Sequence, residues 1–331
     1  MERAAVQLHT APRQRELSAD NLRFFLIFFV VFGHLLELCP PFRGSRFLYQ
    51  LIYSFHIPAL LFLFGYFCRF SPGKLLMAWA LPYLLFQTLY ILFEIYLLGA
   101  ELSLQYLTPH WLLWYLLVCI YYQLLLPLLR RVRRPAVQAL LIGVGFLGGI
   151  AVGFTDAIGY SGSLSRFFVF LPFFLLGIYS RAGAFFTGKG RLLAVSLGGL
   201  AVSALSFFLL YRLELPNAAF YGARSYEALG IYWWQRALIL LTGLAATVAL
   251  FALSRLLLNR KLPLVTRWGQ NTLPIFLLHG FAVRALARFL PACAEKLWQI
   301  VLLSLVLVLA LGNPLLGRAF RQLFSPRRKQ Q

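Results

Sequence analysis

Ten apolar stretches recur along this chain, each bounded by polar residues, charged residues or proline, and each of a length to cross a hydrocarbon core of about 30 Å as a helix. They fall at about 22–38, 48–67, 75–98, 111–129, 136–154, 167–180, 192–211, 236–258, 270–290 and 297–316. The first is marginal in length and the sixth is short. None shows the alternation of a barrel strand, and in hydrocarbon every backbone group needs an internal partner. The pattern therefore predicts an all-α, polytopic bundle of about ten transmembrane helices. Pro82, Pro172 and Pro274 fall inside spans and predict kinks. Residues 1–21 read as an N-terminal segment, 22–316 as the membrane domain and 317–331 as a basic tail, which leaves no room for a separate soluble domain.

Composition strengthens this picture. Hydrophobic residues make up 61% and aromatic residues 17%, with a mean hydropathy of +0.77, against about 45 to 50% apolar in soluble chains. The first twenty-one residues carry both signs of charge and no small-residue cleavage site follows, so the first span is expected to stay as an anchor. Cys39, Cys68, Cys119 and Cys293 form no CxxC or His/Cys metal spacing and read as packing residues; no metal and no bound cofactor is expected.

Charge sets the orientation. With the N-terminus inside, the inner segments hold 22 of the 31 basic residues, including Arg3, Arg13, Arg15 and Arg23, Arg69 and Lys74, the Arg130 to Arg134 cluster, and five in the C-terminal tail. Seven of the ten acidic residues, among them Glu37, Glu101, Asp156 and Glu227, fall outside. By the positive-inside rule both termini are cytoplasmic, and the expected location is a cell (inner or plasma) membrane, crossed many times. The net charge of +21 fits attraction to anionic membrane lipids, and it also fits recruitment of a polyanionic cytoplasmic cosubstrate such as a nucleotide thioester. Nucleic acid is not an expected partner, because no compact soluble domain presents a basic face.

Three histidines then stand out. At about 1.5 Å per residue, His34 lies roughly 18 Å above the inner end of its span, His56 comes out level with it, and His279 reaches roughly 16 Å. Ionisable groups at such depth are costly, and by default they mark a site facing a protein interior or a water-filled cavity. Arg23 and His34 are eleven residues apart, which at about 100° per residue puts them within about 20° on one helix face and roughly 16 Å apart along it. Glu37 lies one turn above His34. A cation, an imidazole and a carboxylate on one face suit a general base between an anionic donor and a hydroxyl acceptor. The same residues also fit a histidine bonded to a neighbouring helix and a snorkelling arginine.

Further polar positions support a cavity but each has an ordinary alternative. His56 precedes Pro58 and could sit at a hinge. His110, Trp111 and Trp114 open the fourth span, where an aromatic belt is equally expected. Asn271 or Thr272 could cap the ninth helix and Asp20 the first. Arg166, just before the sixth span, and Arg284 with Arg288 could face either a cavity or head groups.

At these residues the chain resembles membrane acyltransferase family 3, and within it most closely the fucose 4-O-acetylase-like branch. The residues that carry the resemblance are Asp20-Asn21-Leu22-Arg23 leading to Val31-Phe32-Gly33-His34, Tyr53-Ser54-Phe55-His56-Ile57-Pro58 leading to Gly65-Tyr66-Phe67, Leu81-Pro82-Tyr83, His110 with Leu113-Trp114-Tyr115-Leu116, Ser165-Arg166 leading to Gly177, and Gly269-Gln270-Asn271-Thr272-Leu273 leading to His279. They occur in order over nearly the whole chain. Phe64 stands where the family usually has serine, and Pro274 interrupts a run that is usually continuous.

The resemblance implies an integral membrane O-acyltransferase with an acyltransferase domain over 22–316. It would move an acyl group, most commonly acetyl, from cytoplasmic acyl-CoA to a sugar hydroxyl in a cell-envelope or exported glycan. His34 would be the base or acyl-handling residue, with Glu37 beside it and Arg23 orienting the donor. Asp20, His56, His110, Trp114, Arg166, Asn271 and His279 are candidates for binding donor or acceptor. A proton-coupled transporter or flippase of a polar or lipid-linked glycan, and a non-catalytic subunit of a glycan-export complex, are the competing readings; no internal symmetry favours the transporter.

Overall fold

The computed structural model describes residues 16–38, 40, 42, 44–181 and 186–325. Arg3, Arg13, Arg15, Cys39 and the last six residues of the basic tail lie outside the described residues. The described residues are helical and include no strand. Nine helices among them are long and apolar enough to cross a membrane, ten if one bent pair counts as a span. They are α1 Leu17–Leu36, α2 Ser45–Phe67, α3 Pro72–Leu98, α4 Trp111–Leu129, α5 Pro135–Phe154, α6 Ser161–Ser180, α7 Lys189–Arg212, α8 Trp233–Leu257, α9 Thr272–Phe289, and the pair α10 Leu297–Leu311 and α11 Pro314–Phe324, bent by 55°. The bend falls at Gly312-Asn313-Pro314. Asn313 caps α11 by accepting from the N–H groups of Leu315 and Leu316, while Pro314 occupies the first turn, where its missing N–H costs nothing. The start of the expected tail, 317–324, is therefore helical.

Two expectations at helix starts are corrected. Asp20 does not cap α1, because the helix begins at Leu17 and Asp20 lies buried in its first turn. The polar residues there can be helical because the segment before α9 satisfies them. The Asn21 amide donates to Leu258 and Arg260 carbonyls at 2.7 and 2.9 Å, and Thr266 donates to Asn21 Oδ1 at 2.6 Å. Pro274 does not kink α9, since the helix starts at Thr272 and the proline sits in the first turn. Pro172 is different: α6 runs through it. Before Pro82, α3 contains a π-helical turn, Leu76–Ala80, one of the local adjustments that accommodates proline in a membrane helix.

Burial separates centre from periphery. The apolar window of α1 is 72% buried, while those of α5 and α7 are 22% buried and carry large exposed side chains such as Leu140, Leu147, Leu197 and Phe208. Exposed leucines on apolar helices are what a lipid-facing surface needs, so α1 is an interior helix and α5 and α7 are peripheral. The helix α2 packs against α1, α6 and α8. Its approach to α6 is set by two glycines facing each other's backbone: a Cβ at Gly65 would stand 2.3 Å from the Phe174 carbonyl oxygen, and one at Gly177 2.2 Å from that of Phe62. Small residues at such crossings let two membrane helices touch along their main chains.

Candidate functional site

α1, α2 and α9 bring the three histidines together. The rings of His34 and His279 stack at 5.4 Å, and Tyr53 packs edge-on to His56 at 4.9 Å. His34 and His56 line a cavity of about 270 Å³ with Glu37, Tyr53, Trp111, Trp114, Arg166 and Tyr221. On the orientation that the positive-inside rule predicts, this is the outer cavity.

Hydrogen-bond donors fix the roles of the ring nitrogens. Tyr53 has one hydroxyl proton and gives it to Glu37 Oε1 at 2.5 Å. Its oxygen is then an acceptor for His34 Nδ1 at 3.4 Å, so Nδ1 carries the imidazole proton and Nε2 keeps its lone pair. Glu37 Oε1 lies 3.6 Å from the same Nδ1, too long for a direct bond, so the carboxylate orients the ring through Tyr53. Tyr49 donates to the same carboxylate oxygen at 2.8 Å and is itself hydrogen-bonded to the Tyr221 hydroxyl. In His56 and His279, Nδ1 bonds the carbonyl four residues back, Ile52 at 2.6 Å and Ile275 at 2.9 Å. Each is thus anchored to its own helix. His279 Nε2 is buried with no partner.

Arg23 is on the other side, as its eleven-residue spacing from His34 requires. It lines an inner cavity of about 440 Å³ with Arg69, Lys74, Phe67, Trp79 and Thr272, and Asp20 holds its Nη1 at 3.0 Å. Gln270 donates to the second oxygen of Asp20 at 3.1 Å, so Asp20 positions Arg23 and ties α1 to the start of α9. The two cavities share no lining residue. A chain of rings divides them: Tyr115 and Phe276 in the wall of the inner cavity pack on each other at 5.4 Å, Phe276 packs on His279 at 6.3 Å, and His279 stacks on His34 of the outer cavity.

Other candidate residues separate. Trp114 and Arg166 line the outer cavity, the guanidinium lying 4.7 Å from the indole. His110 lies next door: its Nε2 meets Glu94 Oε2 at 2.8 Å, Glu94 also pairs with Arg284, and His110 and Glu94 line a neighbouring cavity of about 280 Å³. Trp111 stands between, lining both cavities, 4.5 Å from the His34 ring and 5.6 Å from the Arg284 guanidinium. Arg288 is exposed beside Phe289. Asn271 is in none of these cavities. It occupies the cap position of α9 without a side-chain cap bond, and instead accepts from Arg321 at 2.5 Å and donates to the Gly312 carbonyl at 3.4 Å, so it anchors the bent α10–α11 pair.

Sequence reasoning missed Tyr49, Tyr221, Glu94 and the bonding role of Tyr53. Tyr49, Tyr53 and His56 follow an i, i+4, i+7 spacing that places them on one face of α2, a signal sufficient to group them. Tyr221 comes from a 3-10 turn, Asn217–Tyr221, for which the chain gives no comparable signal.

No curated protein and no solved structure matches the chain. The family model for acyltransferase family 3, described as an acyltransferase domain, matches residues 16–313, a stretch that contains both cavities and the Arg23–His34 pair between its ends. The chain therefore belongs to acyltransferase family 3 and is a multi-pass membrane acyltransferase.

Proposed function

We propose that the protein is an O-acyltransferase of the cell membrane that moves an acyl group, acetyl above all, from cytoplasmic acyl-CoA to a sugar hydroxyl of an envelope or exported glycan, as in the fucose 4-O-acetylase-like branch. The observation that carries this reading is the His34–Tyr53–Glu37 relay in one cavity, on the same helix that presents Arg23 to a second, cationic cavity. Arg23, Arg69 and Lys74 supply positive charge for the donor's phosphates, and the apolar walls of Phe67 and Trp79 suit its chain. The donor's thioester end reaches from the inner cavity past Phe276 toward His34, whose Nε2 takes the proton of the acceptor hydroxyl in the outer cavity as the oxygen attacks the acyl carbonyl. The C–S bond breaks, a C–O bond forms, and the proton ends on the departing thiol. Glu37, through Tyr53, holds the ring and stabilises the imidazolium that forms.

The test is transfer of radiolabelled acetyl from acetyl-CoA to endogenous glycan in inverted membrane vesicles. His34→Ala is expected to lower incorporation by about 100-fold or more, and Arg23→Ala to abolish it at low donor concentration. Absence of label with folded wild-type protein and acceptor present would overturn the reading in favour of a transporter or an export subunit.

A further inference from the structure

Arg166 is 8% exposed and lines the outer cavity, yet among the described residues no carboxylate pairs with it. Its Nε donates to the Tyr221 carbonyl at 3.2 Å. Its guanidinium is sandwiched by rings, 4.7 Å from Trp114 and 5.0 Å from Tyr160. The one carboxylate lining this cavity, Glu37, is committed to Tyr49 and Tyr53. A buried cation fixed by aromatic faces, with its two terminal amino groups unpaired beside an open cavity, is a fork awaiting an oxyanion.

A second, independent observation points the same way. Arg224 lies over the same Tyr160 ring at 5.8 Å and is exposed. Its carbonyl is held by Arg236 at 3.3 Å, and Arg236 is fully buried with Nε and Nη1 unpaired. The nearest acid in sequence, Glu227, makes no ion pair among the described residues, and Asp156 accepts from the Ser225 backbone at 3.2 Å. Among the described residues none of these three arginines has an ion-pair partner. Arg166 in the cavity wall and Arg224 over the shared Tyr160 ring, with Arg236 behind Arg224, add positive potential to a site with low-dielectric walls.

We infer that the outer cavity takes an acceptor bearing an oxyanion, held by the Arg166 fork and guided in past Arg224, with the sugar face against the tryptophans. The oxyanion is either the carboxylate of an acidic sugar or the phosphate of a phosphate-linked one. The word acceptor rests on the acyltransferase reading; the anion site does not.

The test is binding to full-length protein in nanodiscs, followed by tryptophan fluorescence, since Trp111 and Trp114 line the cavity. Three probes are compared: methyl glucuronide, glucose 1-phosphate and the neutral methyl glucoside. At least one anionic probe is expected to bind about tenfold or more tightly than the neutral one, and which anion wins assigns the source. Arg166→Gln removes that preference and Arg166→Lys keeps part of it, because the charge stays and the fork is lost. Arg224→Gln, an exposed change that leaves the core intact, weakens anion binding at low salt and not at high salt. Equal affinity for neutral and anionic probes, a preference that survives Arg166→Gln, or no anion binding by cooperatively folded wild-type protein overturns the inference. Acyl transfer does not enter the readout, so failure of acetyl incorporation would remove the function proposed above and leave this site standing.

Discussion

The Tyr53 hydroxyl lies between His34 and Glu37 and has one proton to give, which makes it the residue whose removal is most informative. Tyr53→Phe keeps the ring that packs on His56 and deletes the oxygen that connects His34 to Glu37. It is expected to lower kcat about tenfold to 100-fold with a smaller change in acceptor KM; unchanged kcat would show that the relay is not used. Glu37→Gln is expected to lower kcat as well, and Tyr53→Phe on top of it to add little, because two members of one relay are not additive. The histidines of this site were legible in the sequence because depth is a one-dimensional count along each span. The groups that bond them were not, because Tyr221 arrives from a turn far along the chain and the Glu94–Arg284 pair joins two helices whose adjacency no spacing encodes.

Among elements, the crossing of α2 and α6 and the docking of α1 do the positioning. Gly177→Ala places a methyl group 2.2 Å from the Phe62 carbonyl oxygen, which only separation of the two helices can relieve. The expected cost is about 1 to 3 kcal/mol, read as a lower melting temperature in detergent together with loss of activity. At Gly269 a Cβ would stand 1.8 Å from the Asp20 carbonyl oxygen, so Gly269→Ala should disturb Arg23 through the backbone that carries it. Asn271→Ala makes the contrasting case: thermal stability falls as Arg321 and the Gly312 carbonyl lose their partner, while donor KM in the surviving folded protein stays near wild type. Apolar runs and prolines made the spans themselves legible. The start of α1 was misplaced because Asp20 and Asn21 look like residues outside a membrane helix, and much of what satisfies them inside one comes from the segment at 258–270, more than two hundred positions away.

For the whole molecule, the asymmetry of charge and the asymmetry of cavities coincide. On the orientation that the basic residues predict, the Arg23 cavity, with Arg69 and Lys74 in its wall, lies on the inner side and the His34 cavity on the other. Reporter fusions at both ends are expected to be active only in the cytoplasm, and a periplasmic or extracellular signal from either end would reverse the assignment of donor and acceptor sides.

The partition of Tyr115, Phe276 and His279 between the cavities has an electrical consequence. Carrying one elementary charge across an energised membrane involves about 2.3 kcal/mol per 100 mV, and a continuous wet path would also let protons leak through. With the two pools divided by a few side chains, the phosphates of a thioester donor stay on their own side of the voltage drop. The acyl group moves outward as the acceptor's proton moves inward to the thiol, so on the proposed chemistry no net charge crosses and the transfer neither draws on the membrane potential nor dissipates it.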